Sequence, residues 1–276
     1  MRNMLYILGC LTILLLVSCG DSSTGNDSDD GIINSREMVL VEGGTFMMGC
    51  RDSLGEADEY PLHEVTVSDF YIGKYEVTQA LWVEIYGEVP AGLNDSIPNW
   101  SAFGPSWYQA LEFLNALSLH DGYEPCYNTS GSNIVCDFTK NGYRFPTEAE
   151  WEFAARGGNL SQGYIYAGSN DHSEVCAHDS DYTVGRLAPN ELGLYDMSGN
   201  KSEHCWDRYA SDYYQQCLDA GVVVDPKGPD TSTNLRIFRG GGQIGQTSEL
   251  RVSTRKSDVY VYGSHKCTTR LVRTAQ

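Results

Sequence analysis

Arg239-Gly240-Gly241-Gly242 and Arg270-Leu271-Val272-Arg273 bracket the stretch that decides the fold, Ile237 to Gln276. Between the brackets, Gln243–Thr269 is rich in Ser, Thr, Tyr, Gly and His, and its apolar residues follow neither a helical nor a strand period. A segment this long without period is a functional loop region or a disordered tail. The flanks argue for order, because Leu235-Arg236-Ile237-Phe238 and Arg270-Leu271-Val272 both read as strands. Tyr, Ser and Gly together are what a binding surface uses, since Tyr gives rigid contact area and Ser and Gly give adaptable hydrogen bonding. An ordinary solvated loop has the same composition.

Working outward, residues 1–18 read as a secretory signal: Arg2, an apolar run Leu5–Val17, then Leu16-Val17-Ser18-Cys19, which resembles a bacterial lipobox. Cleavage before Cys19 would leave a lipidated N-terminus, and the apolar run is too short to serve as a membrane span. Residues 19–36 are the lipidated cysteine and a flexible Gly/Ser/Asn/Asp tether. Residues 37–276 form one domain, since no later stretch reads as a linker. The net charge of −18 argues against nucleic acid as a partner. One acyl anchor implies a protein held on a membrane rather than through it, and a monomer at the outer-membrane surface of a bacterial cell envelope is expected.

Met38–Val41 and Thr45–Met48 predict a hairpin turned at Gly43-Gly44, followed by strands at His63–Val67 and Phe70–Ile72. Thr78 is placed to cap a helix over Gln79–Ile85, and Ser106 one over Trp107–Leu119 with Leu111, Leu114 and Leu117 on one face. Thr147 and Glu150 have the spacing of a capping box for a third helix that ends before Gly157-Gly158. No long helical period follows. The fold class is α+β: irregular antiparallel sheet, few short helices and many loops.

Of nine cysteines, Cys50, Cys126, Cys136, Cys176, Cys205, Cys217 and Cys267 lie beyond Cys19, an odd number that leaves at least one thiol unpaired. Cys126 and Cys136 sit on opposite arms of a hairpin, so a disulfide closing Tyr127–Val135 is expected, with two buried thiols as the alternative. No CxxC pair marks a zinc site.

Five segments carry a family resemblance: Glu42–Gly49, Tyr71–Thr78, Tyr143–Arg156, Asn190–Gly199 and Arg239-Gly240-Gly241. In this order they resemble the formylglycine-generating-enzyme-type (sulfatase-modifying factor) domain, a variant of the C-type lectin fold, from about Met38 to Arg273. The family includes copper oxidases, iron sulfoxide synthases and non-catalytic binding proteins, so the sites decide the function. The oxidase copper cysteines fall on Gly245 and Leu250, which cannot ligate Cu(I), and no His-x-x-x-His supports an iron site. The resemblance therefore implies no enzyme, no catalytic residue and no catalytic cofactor.

It also implies a structural calcium site at Asp196, Gly199, Lys201 and Glu203, from two side chains and two carbonyls. Lys201, Ser202 and His204 depart from the family pattern there, and Asp196 and Glu203 serving only as turn caps is the alternative. One branch resembles the chain further: variable lipoproteins diversified by retroelements, with a lipobox and a variable segment between Arg-Gly-Gly and Arg-Leu-Val-Arg. Their diversification acts on adenines, chiefly in Asn codons. Ser257–His265 contains only residues reachable that way, whereas Gln243, Gln246, Glu249, Lys256 and Lys266 are not, and Cys267-Thr268-Thr269 stands where the branch has Ile-Gly-Phe. On this reading residues 237–273 are the variable region of a surface-displayed binding protein. Its ligand, an unknown protein or other surface molecule, is met by Gln243, Ile244, Gln246, Lys256, Ser257, Asp258, Tyr260, Tyr262, Ser264 and His265, with the two tyrosines as anchors. A structural envelope lipoprotein of the same fold is the alternative, with a copper-dependent oxidase as the remote one.

Overall fold

A computed structural model describes residues 31–93, 96–130, 134–177, 180–231, 233–242, 246–259 and 267–276. The signal, Cys19 and most of the tether lie outside these residues, as do Gln243, Ile244, Gly245, Tyr260, Tyr262, Ser264 and His265. Residues 32–276 form one compact unit, and no described helix is long and apolar enough to cross a membrane.

The chain begins with β1 (Met38–Val41), β2 (Gly44–Met48), β3 (His63–Val67) and β4 (Phe70–Glu76). Two helices follow, α1 (Gln79–Tyr86) and α2 (Trp107–His120), then a two-residue ladder of β5 (Tyr127–Asn128) and β6 (Val135–Cys136), and helix α3 (Glu148–Ala155). The second half contributes α4 (His172–Val175), β7 (Ser202–Arg208), α5 (Tyr213–Ala220), β8 (Val223–Val224), β9 (Leu235–Arg239), β10 (Lys256–Val259), β11 (Cys267–Thr268) and β12 (Arg270–Thr274). The sheets run β1-β4-β12, β10-β9-β7-β11 and β2-β3-β8, so β4 lies between the first strand and the last. Most pairings are antiparallel, but β11 runs parallel to β7 and β8 parallel to β3, so the sheet is mixed rather than wholly antiparallel.

The helices start where their side chains can satisfy the free N–H groups of a first turn. Thr78 accepts from Leu81 N, and both Ser106–Gln109 and Thr147–Glu150 close capping boxes. Helix α2 buries Trp107, Leu111, Phe113, Leu114 and Leu117 in one core cluster with Trp82 of α1, Phe145 and Leu271. Trp151 and Phe153 of α3 centre a second cluster with Ile72, Ile237 and Val272. Leu271 and Val272 are adjacent and enter different clusters, as strand alternation requires. Strand β12 is thus the partition between the two cores.

Four expectations change. The two strands β1 and β2 do not pair as a hairpin across Gly43-Gly44: β1 pairs with β4 and β2 with β3, in separate sheets. Tyr213–Ala220 is helical although its sequence shows no period, because only Tyr214 and Cys217 are buried, Tyr213 is half-buried against the core, and the other five residues are exposed. Lys256–Val259 is a strand, not irregular loop, paired to β9 with Lys256 opposite Phe238. The Cys126–Cys136 disulfide is not formed: both are free thiols. The register sets Cys136 opposite Tyr127, so alternation turns Cys126 to the other face, where its thiol donates to Gly142 O at 3.3 Å.

Candidate ligand-binding surface

The C-terminal stretch enters through Arg239, the last residue of β9, which is fully buried. Its guanidinium donates to Val252 O, Ser253 O and Thr254 O at 3.0, 2.9 and 2.9 Å and is ion-paired with Glu152 of α3. Glu152 also pairs with Arg156 at 2.7 Å. Burial pushes the Glu152 carboxyl up, but Arg156 and Arg239 outweigh it and hold the pKa below the ordinary value. Gly241 follows with φ +71, and a Cβ there would lie 2.7 Å from Glu249 O, so the chain can fold back on itself only at a glycine.

Two more arginines fasten the return. Arg251 forks onto Glu59 at 2.7 and 2.9 Å. Arg255 forks onto Glu148 at 2.7 and 2.9 Å and donates to Asp58 O at 2.9 Å. Arg251 to Arg255 are all buried, with Val252 at 2% exposure. This part of 237–273 is therefore scaffold, not variable surface. A guanidinium donates through a rigid planar fork that matches carboxylates and carbonyls, which suits it to hold irregular backbone in a dry interior.

The surface lies on either side of that fastening. Gln246 is exposed and opens a 3-10 turn over Thr247–Leu250. Lys256 and Ser257 are half-buried and Asp258 is exposed on β10. Lys256 Nζ is ion-paired with Glu249 Oε1 at 2.9 Å, which brings the 246–250 turn beside β10. Strand alternation puts Lys256 and Asp258 on one face of β10, beside the turn that carries Gln246, and turns Ser257 to the other face, opposite buried Ile237. The other six of the ten expected contact residues lie outside the described residues. Leu250, at a position aligned with an oxidase copper cysteine, is fully buried against Val175 and Cys176.

The expected calcium positions have other work. Arg270 Nη2 lies 2.6 Å from Glu203 Oε1 and Trp151 Nε1 donates to Oε2 at 2.7 Å, so both Glu203 oxygens are engaged in a fully buried pair. Lys201 turns its ammonium onto the rings of Phe103 and Tyr182, 3.8 and 3.9 Å from their centroids. Burial lowers its pKa to about 8. Asp196 accepts from Gly185 N at 2.7 Å, and burial raises its carboxyl to about 6. Gly199 N donates to Gly240 O, which joins this turn to the start of the C-terminal stretch. With Glu203 saturated by an arginine and a lysine ammonium a residue away from Asn200, the set does not fit a divalent cation: positive charge is already supplied by side chains. Glu76 sits in the same cluster, accepting from Asn200 Nδ2 and Lys201 N, and burial beside Asp196 and Glu203 holds its carboxyl well above the ordinary value.

The described histidines converge on no site. His63 is buried against Tyr214, and His120 pairs with Asp121 on the surface. His204 is buried beside Phe145, where burial lowers its pKa to about 4. Among the described residues no group of three or more His, Cys, Asp or Glu side chains has metal-holding geometry. Sequence reasoning did not identify the glutamates Glu59, Glu148 and Glu152 that fix the surface; the signal available was the clustering of arginines in the C-terminal stretch of an acidic chain.

Known proteins share this architecture. The chain is 33% identical over 291 residues to chaperone protein LppX of Paenibacillus barcinonensis, covering 92% of each. It is 30% identical to the formylglycine-generating enzyme of Thermomonospora curvata over 75% of this chain and 82% of that one. In structure it superposes on Treponema denticola variable protein 1 with a TM-score of 0.75 at 28% identity, over 86% of this chain and 95% of the other. Residues 28–275 match the sulfatase-modifying factor enzyme 1-like domain, and the chain belongs to that family, in its C-type-lectin-like fold.

Proposed function

We propose that this protein is a non-catalytic, lipid-anchored binding protein of the bacterial cell envelope, whose C-terminal surface takes a polypeptide ligand. The observation that carries the reading is the division of the C-terminal stretch. Arg239, Arg251 and Arg255 lock its backbone to α3 and the 58–59 turn, while Gln246 on the neighbouring turn and Lys256 and Asp258 on β10 present an accessible face. Side chains on such a face can change without unfolding the domain. The likeness to Treponema denticola variable protein 1 supports diversification of this segment, and the likeness to a protein named a chaperone supports a polypeptide as ligand. The buried Leu250 supports the absence of oxidase chemistry. Anchoring at Cys19 rests on the lipobox.

The test is site-specific photocrosslinking of the full chain on the source cell's envelope. A photoreactive residue at Asp258 is expected to capture a defined polypeptide that the same residue at exposed Leu119 does not. Equal capture at both positions, or at neither, contradicts the reading.

A further inference from the structure

Strand β10 is the outer strand of its sheet and is paired along one edge, to β9. The direction of its backbone groups follows from the ladder. Leu235 O accepts from Tyr209 N, just beyond the end of β7. In an antiparallel ladder a residue's N–H and C=O share a side, and neighbouring residues alternate. The polar groups of Leu235, Ile237 and Arg239 therefore face β7, and those of Arg236 and Phe238 face β10. Register sets Lys256 against Phe238 and Asp258 against Arg236, so these two residues carry the bonds to β9. The N–H and C=O of Ser257 point the other way, out of the sheet.

Among the described residues nothing bonds to those two groups. The next outward N–H, that of Val259, is taken by Asp258 Oδ1 at 2.6 Å. Ser257 is thus an open bonding position on an edge strand, and an open edge is a template for one more strand. The flanking charges decide which strand fits. An antiparallel partner centred on Ser257 must set an acid against Lys256 and a base against Asp258. Along its own chain that partner reads base, any residue, acid, and β10 itself reads Lys256-Ser257-Asp258. Lys256 is already paired with Glu249, but its side chain is 36% exposed and an ammonium has three donors, enough for a second carboxylate.

We infer that this protein associates with a second copy of itself by antiparallel pairing of β10 with β10, about a two-fold axis at Ser257. The inference goes beyond the proposed function, which assigns the face of this strand and not its edge, and it replaces the monomer expected from a single anchor. The two Ser257 residues exchange both N–H···O bonds, and the two sheets join into one. Residues 256 and 258 then occupy the non-hydrogen-bonded positions, where opposed side chains are closest. Lys256 of each copy meets Asp258 of the other, which gives two cross-strand pairs of opposite charge. The same patch serves on both copies, as a two-fold interface requires. Chains with a net charge of −18 repel one another, so their contact needs a locally balanced site, and β10 supplies one.

Sedimentation equilibrium of the full chain alone, in non-ionic detergent, tests this separately from any ligand of the face. Wild type is expected to pass from monomer to dimer over a concentration series. Lys256→Asp and Asp258→Lys each set like charges opposite one another and should weaken association about tenfold or more. An equimolar mixture of the two variants opposes an acidic strand to a basic one and should dimerise again. Ser257→Pro removes the outward N–H and leaves the ladder to β9 intact, so it should abolish the dimer at a nearly unchanged melting temperature. If the proline variant fails to fold, the mixture of charge variants decides. A wild-type chain that stays monomeric, with or without an added peptide strand bound to the edge, overturns the proposal. So does a dimer untouched by both charge reversals, or a mixture that stays monomeric.

Discussion

At the residue scale the chain is governed by what its buried charges do. Arg239 answers three carbonyls and one carboxylate in a dry interior, and removing one partner of such a set leaves the others unpaired. Arg239→Ala is therefore expected to lower unfolding free energy by about 3–5 kcal/mol, measured by urea denaturation; a loss below ~1 kcal/mol, the median for surface pairs, contradicts the role. Lys201 gives the opposite kind of test. Its folded pKa of about 8 lies below the ordinary 10.5, so between those values the unfolded chain binds more protons than the folded one. Stability attributable to Lys201 then rises with pH across that window. Wild type should gain on Lys201→Met when both are denatured at the two ends of it, and a constant difference contradicts the assignment. Asp196, raised to about 6, has the reverse sign: its cost is relieved as pH falls from about 6 toward 3.8.

At the element scale, strands and helices whose residues are patterned by burial were legible, and those patterned by partners were not. Thr78, Ser106 and the Thr147–Glu150 box mark their helices because capping is a local interaction. Helix α5 carries two buried residues in eight, too few for a period to show. Strand β10 contains Ser257 and Asp258, polar residues that pair with β9 only because Arg255 delivers the backbone there. The Cys126–Cys136 pair was misread because spacing fixes the arms of a hairpin and not its register. Alkylation of the unfolded, non-reduced protein should label both thiols, and recovery of a peptide pair linked through them contradicts this register. The turn at 196–203 is also set by distant residues: Arg270 reaches Glu203 across 67 positions. EDTA or added calcium should leave the melting temperature unchanged, and a calcium-dependent rise would show that Glu203 exchanges Arg270 for a cation.

At the scale of the whole molecule, β12 separates two cores and the arginine-pinned return between β9 and β12 rests on both the N-terminal turn and α3. The family motifs made the scaffold recognisable, since they are the segments that build these cores. The division of residues 237–273 into locked and free parts was not recognisable, because it depends on glutamates nearly a hundred or more positions away. That division is the central claim, and comparative unfolding of two variants tests it most directly. Replacing Gln246, Lys256, Ser257 and Asp258 together by alanine should shift stability by no more than ~2 kcal/mol, about half a unit per surface site. Replacing Arg251 and Arg255 by alanine should cost at least ~3 kcal/mol for each broken buried pair, or prevent folding. A surface variant as damaged as the arginine variant would contradict the account.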